Sequence, residues 1–303
     1  TDADLYLSYS KSTNNALGDC SMRKKYLAIG TDLQCEVKSI DAQFDYSDDM
    51  HNHDCYEILI LLDGHIKMYT EYTGKDMNRG DVAFLPKYLF HTASLYNTDK
   101  YDRIVINVTE NVLVEASDSS INLLSCFQRH NDYTIHSIHL NDSELEEIKA
   151  YAVHLQNNLH SSKPGSRILA DSYLKLIMVN LTHKYINDPI MKYPNIMPPM
   201  VSKTFEYIST HLTEQITLET LEREIHHNGT YISRNVKKIS GLSIQQYIIA
   251  KRIALACRLL QEGYSASEVC YMSGFNNYSN FSRTFSKQLG KSPKQLQMEL
   301  RRK

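Results

Sequence analysis

Proline is scarce in this chain: seven occur in 303 residues, and four of them crowd between Pro189 and Pro199. Such a cluster cannot continue a helix and favours extended backbone, so residues 188–200 are expected to link two domains. Paired cysteines are missing. Cys20, Cys35, Cys55, Cys126, Cys257 and Cys270 are scattered with no C-x-x-C spacing. That argues against a structural zinc site and a disulfide framework, and the thiols are expected to be reduced and mostly buried. Missing too is any apolar run near the roughly 18 residues of a membrane span, or a basic-then-apolar leader. The expectation is a cytoplasmic protein with no membrane partner. A hydrophobic share of 42% against 22% charged is that of ordinary globular domains with a real core, and the length allows two of them.

The net charge of −2 conceals an asymmetry. Residues 1–200 hold 18 Lys and Arg against 27 Asp and Glu, whereas residues 201–303 hold 15 against 8. A basic C-terminal part on an acidic N-terminal part suggests that the former meets a polyanion.

Ahead of the linker, two helices are readable. The first opens near Ser143-Glu144, with Leu145, Ile148, Ala152, Leu155 and Leu159 on one stripe. The second follows Pro164-Gly165, with Leu169, Tyr173, Leu176, Ile177 and Leu181 as its stripe. By pattern the pair is an antiparallel hairpin, and its step suits either packing on its own domain or a dimer seam. Further upstream, between Cys20 and Thr109, short β-rich runs at 56–62, 65–72, 82–85 and 103–108 are separated by Gly-containing turns. Closely spaced strands of this kind indicate an antiparallel sandwich or barrel.

Beyond the linker the chain repeats itself at an offset of 49 residues. Ile232, Ser233, Arg234, Val236 and Lys238 match Phe281, Ser282, Arg283, Phe285 and Lys287; Gly241, Ser243 and Gln246 match Gly290, Ser292 and Gln295. One gapless register implies two copies of one supersecondary unit. Each copy reads helix, turn, helix. In the first, Leu218, Leu221 and Ile225 form a stripe broken at His226-His227-Asn228-Gly229, after which Ile232 and Val236 point inward. In the second, Ala266, Val269, Cys270 and Met272 precede Ser273-Gly274-Phe275-Asn276-Asn277, and Asn277 caps the helix that follows. This is the helix-turn-helix pattern, whose second helix presents its N-terminal residues to base edges in the major groove. Between the copies, residues 243–261 form one helix with Ile249, Ile253, Ala256 and Leu260 inward, ended by Gly263. At about 1.5 Å per residue it spans roughly 28 Å, close to one turn of DNA.

Residues 201–303 resemble the DNA-binding domain of the AraC/XylS family of bacterial regulators. The stretches that carry the likeness are Ile216-Thr217-Leu218-Glu219-Thr220-Leu221, Tyr231-Ile232-Ser233-Arg234, Gln246-Tyr247-Ile248, Lys251-Arg252-Ile253, Ser273-Gly274-Phe275, Asn280-Phe281-Ser282-Arg283-Thr284-Phe285 and Gly290-Lys291-Ser292-Pro293. The resemblance implies Thr230, Ser233 and Arg234 as reading residues of the first module and Ser279 and Arg283 as those of the second. Tyr231, Lys237, Lys238, Tyr278, Asn280, Ser282 and Lys287 complete the expected DNA-binding set. The chain departs from the family in two places. Leu296-Gln297 stands where an aromatic residue and Arg are usual, which would remove a phosphate contact. The first recognition helix opens with Asn228-Gly229 rather than Ser-Pro.

His51-Asn52-His53-Asp54-Cys55-Tyr56-Glu57 with Gly64, and Gly80 with Pro86 and His91, resemble the two motifs of the cupin barrel. Tyr88 occupies a place that often holds Gly, and no Asn follows His91 at the usual distance. His51, His53 and Glu57 share strand parity. With His91 they form a set that suits iron, manganese or zinc, yet in barrels resembling AraC sensors the signature is usually metal-free. No cofactor is therefore expected; a metal, if bound, would sit on His51, His53, Glu57 and His91. As a small-molecule pocket the candidates are His51, His53, Tyr56, Glu57 and His91.

These readings describe an α+β multidomain protein: a cupin-like antiparallel β-barrel (1–140), a helical hairpin expected to dimerise (141–187), a Pro-rich linker (188–200) and an all-α domain of two helix-turn-helix modules joined by a long helix (201–303). The expected function is a DNA-binding transcriptional regulator, an activator without enzymatic activity. Its expected partners are double-stranded promoter DNA, a small-molecule effector that the resemblance suggests is a sugar or related metabolite, a second copy of the chain, and RNA polymerase. A ligand-independent regulator or one controlled by a protein partner, a repressor, and a metal-dependent cupin enzyme with a DNA-binding appendage are the alternatives.

Overall fold

A computed structural model of the protein describes residues 32–41, 49–95, 100–128, 135–187 and 193–301; Cys20 and linker residues 188–192 lie outside them. Among the described residues eight strands come first: β1 Leu33–Asp41, β2 Tyr56–Asp63, β3 His65–Thr70, β4 Gly74–Asn78, β5 Asp81–Leu85, β6 His91–Leu95, β7 Lys100–Val108 and, after two short helices (α1 Glu110–Ala116, α2 Ser125–Gln128), β8 His136–His139. They form an antiparallel five-stranded sheet ordered β1-β7-β2-β5-β8 and a three-stranded sheet ordered β4-β3-β6. The four sequence-visible strands are β2, β3, β5 and β7. The other four are short or polar, and β4 occupies what reads as a Thr73-Gly74-Lys75 turn.

β2 shows why the architecture is two-layered on this side. Its Tyr-Glu-Ile-Leu-Ile-Leu-Leu run is buried on both faces. Leu59 and Leu61 join Ile66, Met68, Met77, Ala83 and Leu85 between the two sheets, the barrel interior. Ile58, Ile60 and Leu62 turn the other way and share a core with the helices that follow. A strand covered on both faces loses its polar alternation, which is what the sequence displays.

Those helices are α3 Asp142–Leu159 and α4 Ser166–Asn187, an antiparallel hairpin packed on the outer face of the large sheet. α3 starts one residue before the Ser143-Glu144 signal, because Asn141 is the N-cap and closes a capping box with Glu144. Its stripe is as read from the sequence, with Leu145, Ile148, Ala152 and Leu155 buried. The face of α4 is not. Ala170, Leu174, Ile177, Met178, Leu181 and Tyr185 are buried, while Leu169 and Leu176 are 50% and 43% exposed. Apolar residues surround this helix on most sides, so periodicity alone does not select the buried face. Small Ala170 and Tyr185, whose ring meets Phe84 at 5.6 Å, set it.

The proline-rich stretch ends as a helix start: Pro198 is the N-cap and Pro199 the first residue of α5 Pro199–Thr210, where a fixed φ and a missing N–H cost nothing. The chain continues through α6 Leu218–Ile225, α7 Gly229–Ser240, α8 Ile244–Gln261, α9 Ala266–Met272, α10 Tyr278–Leu289 and α11 Pro293–Leu300. α7 and α10 are the same length and lie 49 residues apart at both ends. Their N-caps Asn228 and Asn277, their left-handed C-caps Gly241 and Gly290 (both φ 73°), and the capping boxes Ser243/Gln246 and Ser292/Gln295 repeat at the same offset. α8 serves both modules. Tyr247 and Ile248 pack with Phe205, Ile232 and Val236; Ile253, Ala256 and Leu260 pack with Val269, Phe281 and Phe285. Its 18 residues span roughly 27 Å. Two expected core positions fall outside: Leu218 and Met272 are 42% and 39% exposed, each at the end of a helix of only two turns.

Candidate nucleic-acid interface and sensor cluster

α7 and α10 are short helices whose inner faces are filled by Ile232 and Val236, and by Phe281 and Phe285. Helical spacing then throws the expected reading residues outward. Thr230, Tyr231, Arg234, Lys237 and Lys238 are exposed on α7, with Ser233 half-buried; Tyr278, Ser279, Asn280, Arg283 and Lys287 are exposed on α10, with Ser282 half-buried. The Asn-Gly opening of α7 has a local reason. Asn228 accepts the Thr230 N–H at 3.0 Å, and a Cβ on Gly229 would stand 2.6 Å from Leu218 Cγ. Glycine is thus what lets α6 and α7 meet closely at the turn. Gln297, where the family has Arg, donates to the Tyr264 carbonyl at 2.9 Å and ties α11 to the end of α8.

On the barrel, the expected pocket residues separate into a cluster and an outlier. β2 begins only at Tyr56, so His51 and His53 precede it in an irregular segment rather than on its strand face. His51 instead pairs with His91 in an isolated antiparallel bridge, held by His51 N–H to His91 O (3.0 Å) and His91 N–H to His51 O (2.9 Å). The three rings gather, with centroids 4.6 Å apart for His51 and His91 and 5.0 Å for His53 and His91. Glu57 faces them: its Oε2 is 2.8 Å from His53 Nε2 and its Oε1 is 3.7 Å from His91 Nε2. Burial alone would raise the Glu57 carboxyl, but the His53 hydrogen bond and the neighbouring imidazoles hold it down at about 2. For His53, burial alone would push the ring down; hydrogen bonds to Cys55 and Glu57 outweigh it and hold the ring at about 10. Tyr56 does not belong here. One position from Glu57 on a strand, it points to the opposite face, where its ring packs on Phe127 at 4.6 Å.

One ring nitrogen from each of His51, His53 and His91 lies within 4.8 Å of the others. Nδ1 of each ring sits 2.9–3.0 Å from a backbone carbonyl, of Asp49, Cys55 and Leu89 respectively. A carbonyl only accepts, so Nδ1 carries the proton and Nε2 is directed away from it. This donor set fits a divalent transition metal.

Sequence reading missed the surface joining the barrel to the DNA-binding domain. Glu71, 5% exposed, pairs with Lys251 and accepts from the Tyr247 hydroxyl at 3.3 Å. Burial and the Glu71 carboxylate keep that hydroxyl protonated well above its usual value. Met50 donates its N–H to Ser240 O at 2.7 Å, and Phe90 meets Tyr247 at 5.8 Å. Met50, Tyr69 and Phe90 share one buried cluster with α5, α7 and α8. The linker's far end is docked as well: Ile196 N–H donates to Gly74 O at 3.0 Å, and Asn195 accepts from Gly74 N–H at 2.9 Å. Beside this seam lies a cavity of about 260 Å³ lined by Asn52, Tyr88, Phe90, Lys251 and Arg258, among others. Tyr88 carried one legible signal. It stands in a position that favours Gly, and its φ is indeed left-handed at 65°, with its hydroxyl donating to Gln261 at 2.6 Å.

A family described as a helix-turn-helix domain matches residues 221–299, from α6 into α11. YobQ, an uncharacterized HTH-type transcriptional regulator of Bacillus subtilis, is 37% identical over 89 residues, covering 29% of this chain and 37% of that protein. The HTH-type transcriptional activator RhaS of Enterobacter sp. is 22% identical over 258 residues, covering 81% of this chain and 86% of its own. Among solved structures, ToxT of Vibrio cholerae bound to a methylnaphthalenyl butenoic acid covers 89% of this chain and 100% of its own, at 14% identity and a TM-score of 0.40. Among the described residues no helix is long and apolar enough to cross a membrane. Its C-terminal domain is thus matched as a helix-turn-helix domain, and along four fifths of its length the chain is similar to an HTH-type transcriptional activator.

Proposed function

We propose that this protein is a cytoplasmic, sequence-specific transcriptional activator that grips promoter DNA with α7 and α10, and that it acts as a regulator rather than a catalyst. The observation that carries the reading is the 49-residue structural repeat, which presents Arg234 and Arg283 at matching exposed positions of two capped helices. Among the described residues neither guanidinium is held in an ion pair, so both are available to base edges. A second copy of the chain is the proposed partner of α4, on which Leu169 and Leu176 are exposed, and RNA polymerase is the partner through which activation would act. The small-molecule effector, a sugar or related metabolite by resemblance, suits the polar seam cavity beside Asn52, Lys251 and Arg258. It must favour one arrangement of the two domains over the other, or nothing switches.

The test is binding of a cognate promoter fragment by the full chain and by Arg234→Ala and Arg283→Ala. Each substitution is expected to cost about 1–3 kcal/mol and to relax sequence preference. Parental affinity and specificity in both variants would overturn the assignment of these two residues.

A further inference from the structure

Each module turns from its first helix into its second through a left-handed residue, but the two turns are built differently. In the second module that residue is Gly274, at φ 83°, where a Cβ would stand 2.8 Å from Thr213 Cα and 2.9 Å from Leu212 O. In the first it is His226, the C-cap of α6, at φ 58°. An L side chain enters that region at a cost of about 1 kcal/mol. A second histidine, His227, follows at once. Both are exposed, and the His227 ring stands 5.7 Å from the ring of Tyr231 in the first turn of α7. Two residues further on, Gly229 opens α7. The two imidazoles therefore flank the end of α7 that a helix-turn-helix presents to DNA, where the phosphate backbone borders the groove. The matching turn of the second module, Ser273-Gly274-Phe275-Asn276, has no ionisable side chain.

The charges that surround this turn give the histidines something to offset. α6 carries Glu219, Glu222 and Glu224 against Arg223 alone, and Arg223 is already paired with Glu224 at 2.9 Å. Glu222 accepts the Gly229 N–H at the start of α7. α7 itself contributes Arg234, Lys237 and Lys238. α5, which packs on both helices, contributes Lys203, Glu206 and, just past its end, His211. The first helix of this module thus brings net negative charge towards a polyanion. Imidazole is the side chain whose charge changes between about pH 5 and pH 8, and a neighbouring phosphate favours its charged form. We propose that His226 and His227 form a proton-dependent contact with the DNA backbone, offsetting the α6 carboxylates and tightening the hold of the first module as pH falls. The bound form takes up protons, so affinity rises in acid and declines in alkali. This role rests on the proposed binding of DNA by α7, and it adds two residues outside that helix and a regulation by pH confined to one module.

The experiment measures binding of a cognate promoter fragment by the full chain at about pH 8 and about pH 6, on either side of the imidazole range, each over a series of salt concentrations. Three forms are compared: the parent, the double variant His226→Asn with His227→Gln, and Arg283→Ala, whose altered residue lies in the second module. Asn enters the left-handed region readily, so the double variant keeps its turn, and circular dichroism verifies that it is folded. In the parent, affinity should rise about tenfold between the higher and the lower pH. Its slope of log affinity against log salt should steepen by about 0.9 for each phosphate newly neutralised. The double variant should lose most of the rise and the steepening with it, whereas Arg283→Ala, though weaker, should keep both. Should the double variant not fold, His227→Gln, which leaves the left-handed residue in place, decides in the same way. A parent whose affinity ignores pH overturns the contact, as does a double variant that keeps the parent's full response. A double variant weakened equally at both pH values, its response intact, gives the turn a structural role only and likewise overturns the contact. DNA binding by none of the forms at either pH sinks the reading of α7 and the contact together; binding that ignores pH sinks the contact alone.

Discussion

Gly241 and Gly290 are a matched pair that separates backbone conformation from domain docking. Both end the second helix of a helix-turn-helix module at φ 73°, a region that an L side chain enters at a cost of about 1 kcal/mol. Among the described residues a Cβ on Gly290 would meet nothing within 4 Å, whereas at Gly241 it would stand 2.4 Å from Asp49 Oδ1 and 3.2 Å from Asp49 Cα. Gly290→Ala should therefore lower stability by only about the conformational cost. Gly241→Ala should lose clearly more in thermal unfolding, because the Asp49 segment must also move. Equal losses in the two variants would mean that the barrel does not rest on α7. The pairing of these glycines was legible in the sequence; the neighbour that distinguishes them, 192 positions away from Gly241, was not. The same holds at Tyr88, where a motif comparison marks a glycine-like position but only the fold reveals the hydroxyl contact with Gln261.

Elements were legible in proportion to how much their own periodicity decides their burial. α3, α7, α8 and α10 each carry one strong stripe or a clear cap, and their inner residues are those the spacing indicates. α4 is apolar on most sides, so its buried face is chosen by the sheet it lies on. Short strands such as β4 and β8 have too few residues to show a period, and they exist because β3 and β5 need partners for their backbone groups. At the site, the His51, His53, Glu57 and His91 spacing was readable, but the displacement of His51 and His53 off β2 was not, and Tyr56, adjacent to Glu57 in the motif, faces away from it as strand parity requires. The N-caps of α7 and α10 offer a direct check on the repeat. Asn228 and Asn277 each accept a backbone N–H in the first turn, so Asn228→Ala and Asn277→Ala should each cost about 1 kcal/mol. Both should also weaken promoter binding, because the frayed turn carries Thr230 in one module and Ser279 in the other. A variant that melts and binds like the parent would contradict this role for its cap.

The molecule is held together across the seam by a buried charge pair, and sequence spacing gives no warning of it, since Glu71 and Lys251 belong to different domains. Glu71 is nearly inaccessible and its partner ammonium is 13% exposed. Removing one member of such a pair strands the other, at a cost on the order of 3–5 kcal/mol. Glu71→Ala should therefore either destabilise the docked chain by that amount or open it. Opening would show as new protease cleavage near residues 193–198, where the linker is otherwise tied to Gly74. Parental melting together with parental cleavage would exclude a structural role for the pair. If one chain carries two DNA readers joined by α8, footprinting of the full chain on a cognate promoter, over a range of salt, will reveal both. Each chain should protect two major-groove segments about 10 base pairs apart, with affinity falling steeply as salt rises. Protection of a single segment, or binding indifferent to salt, would contradict it.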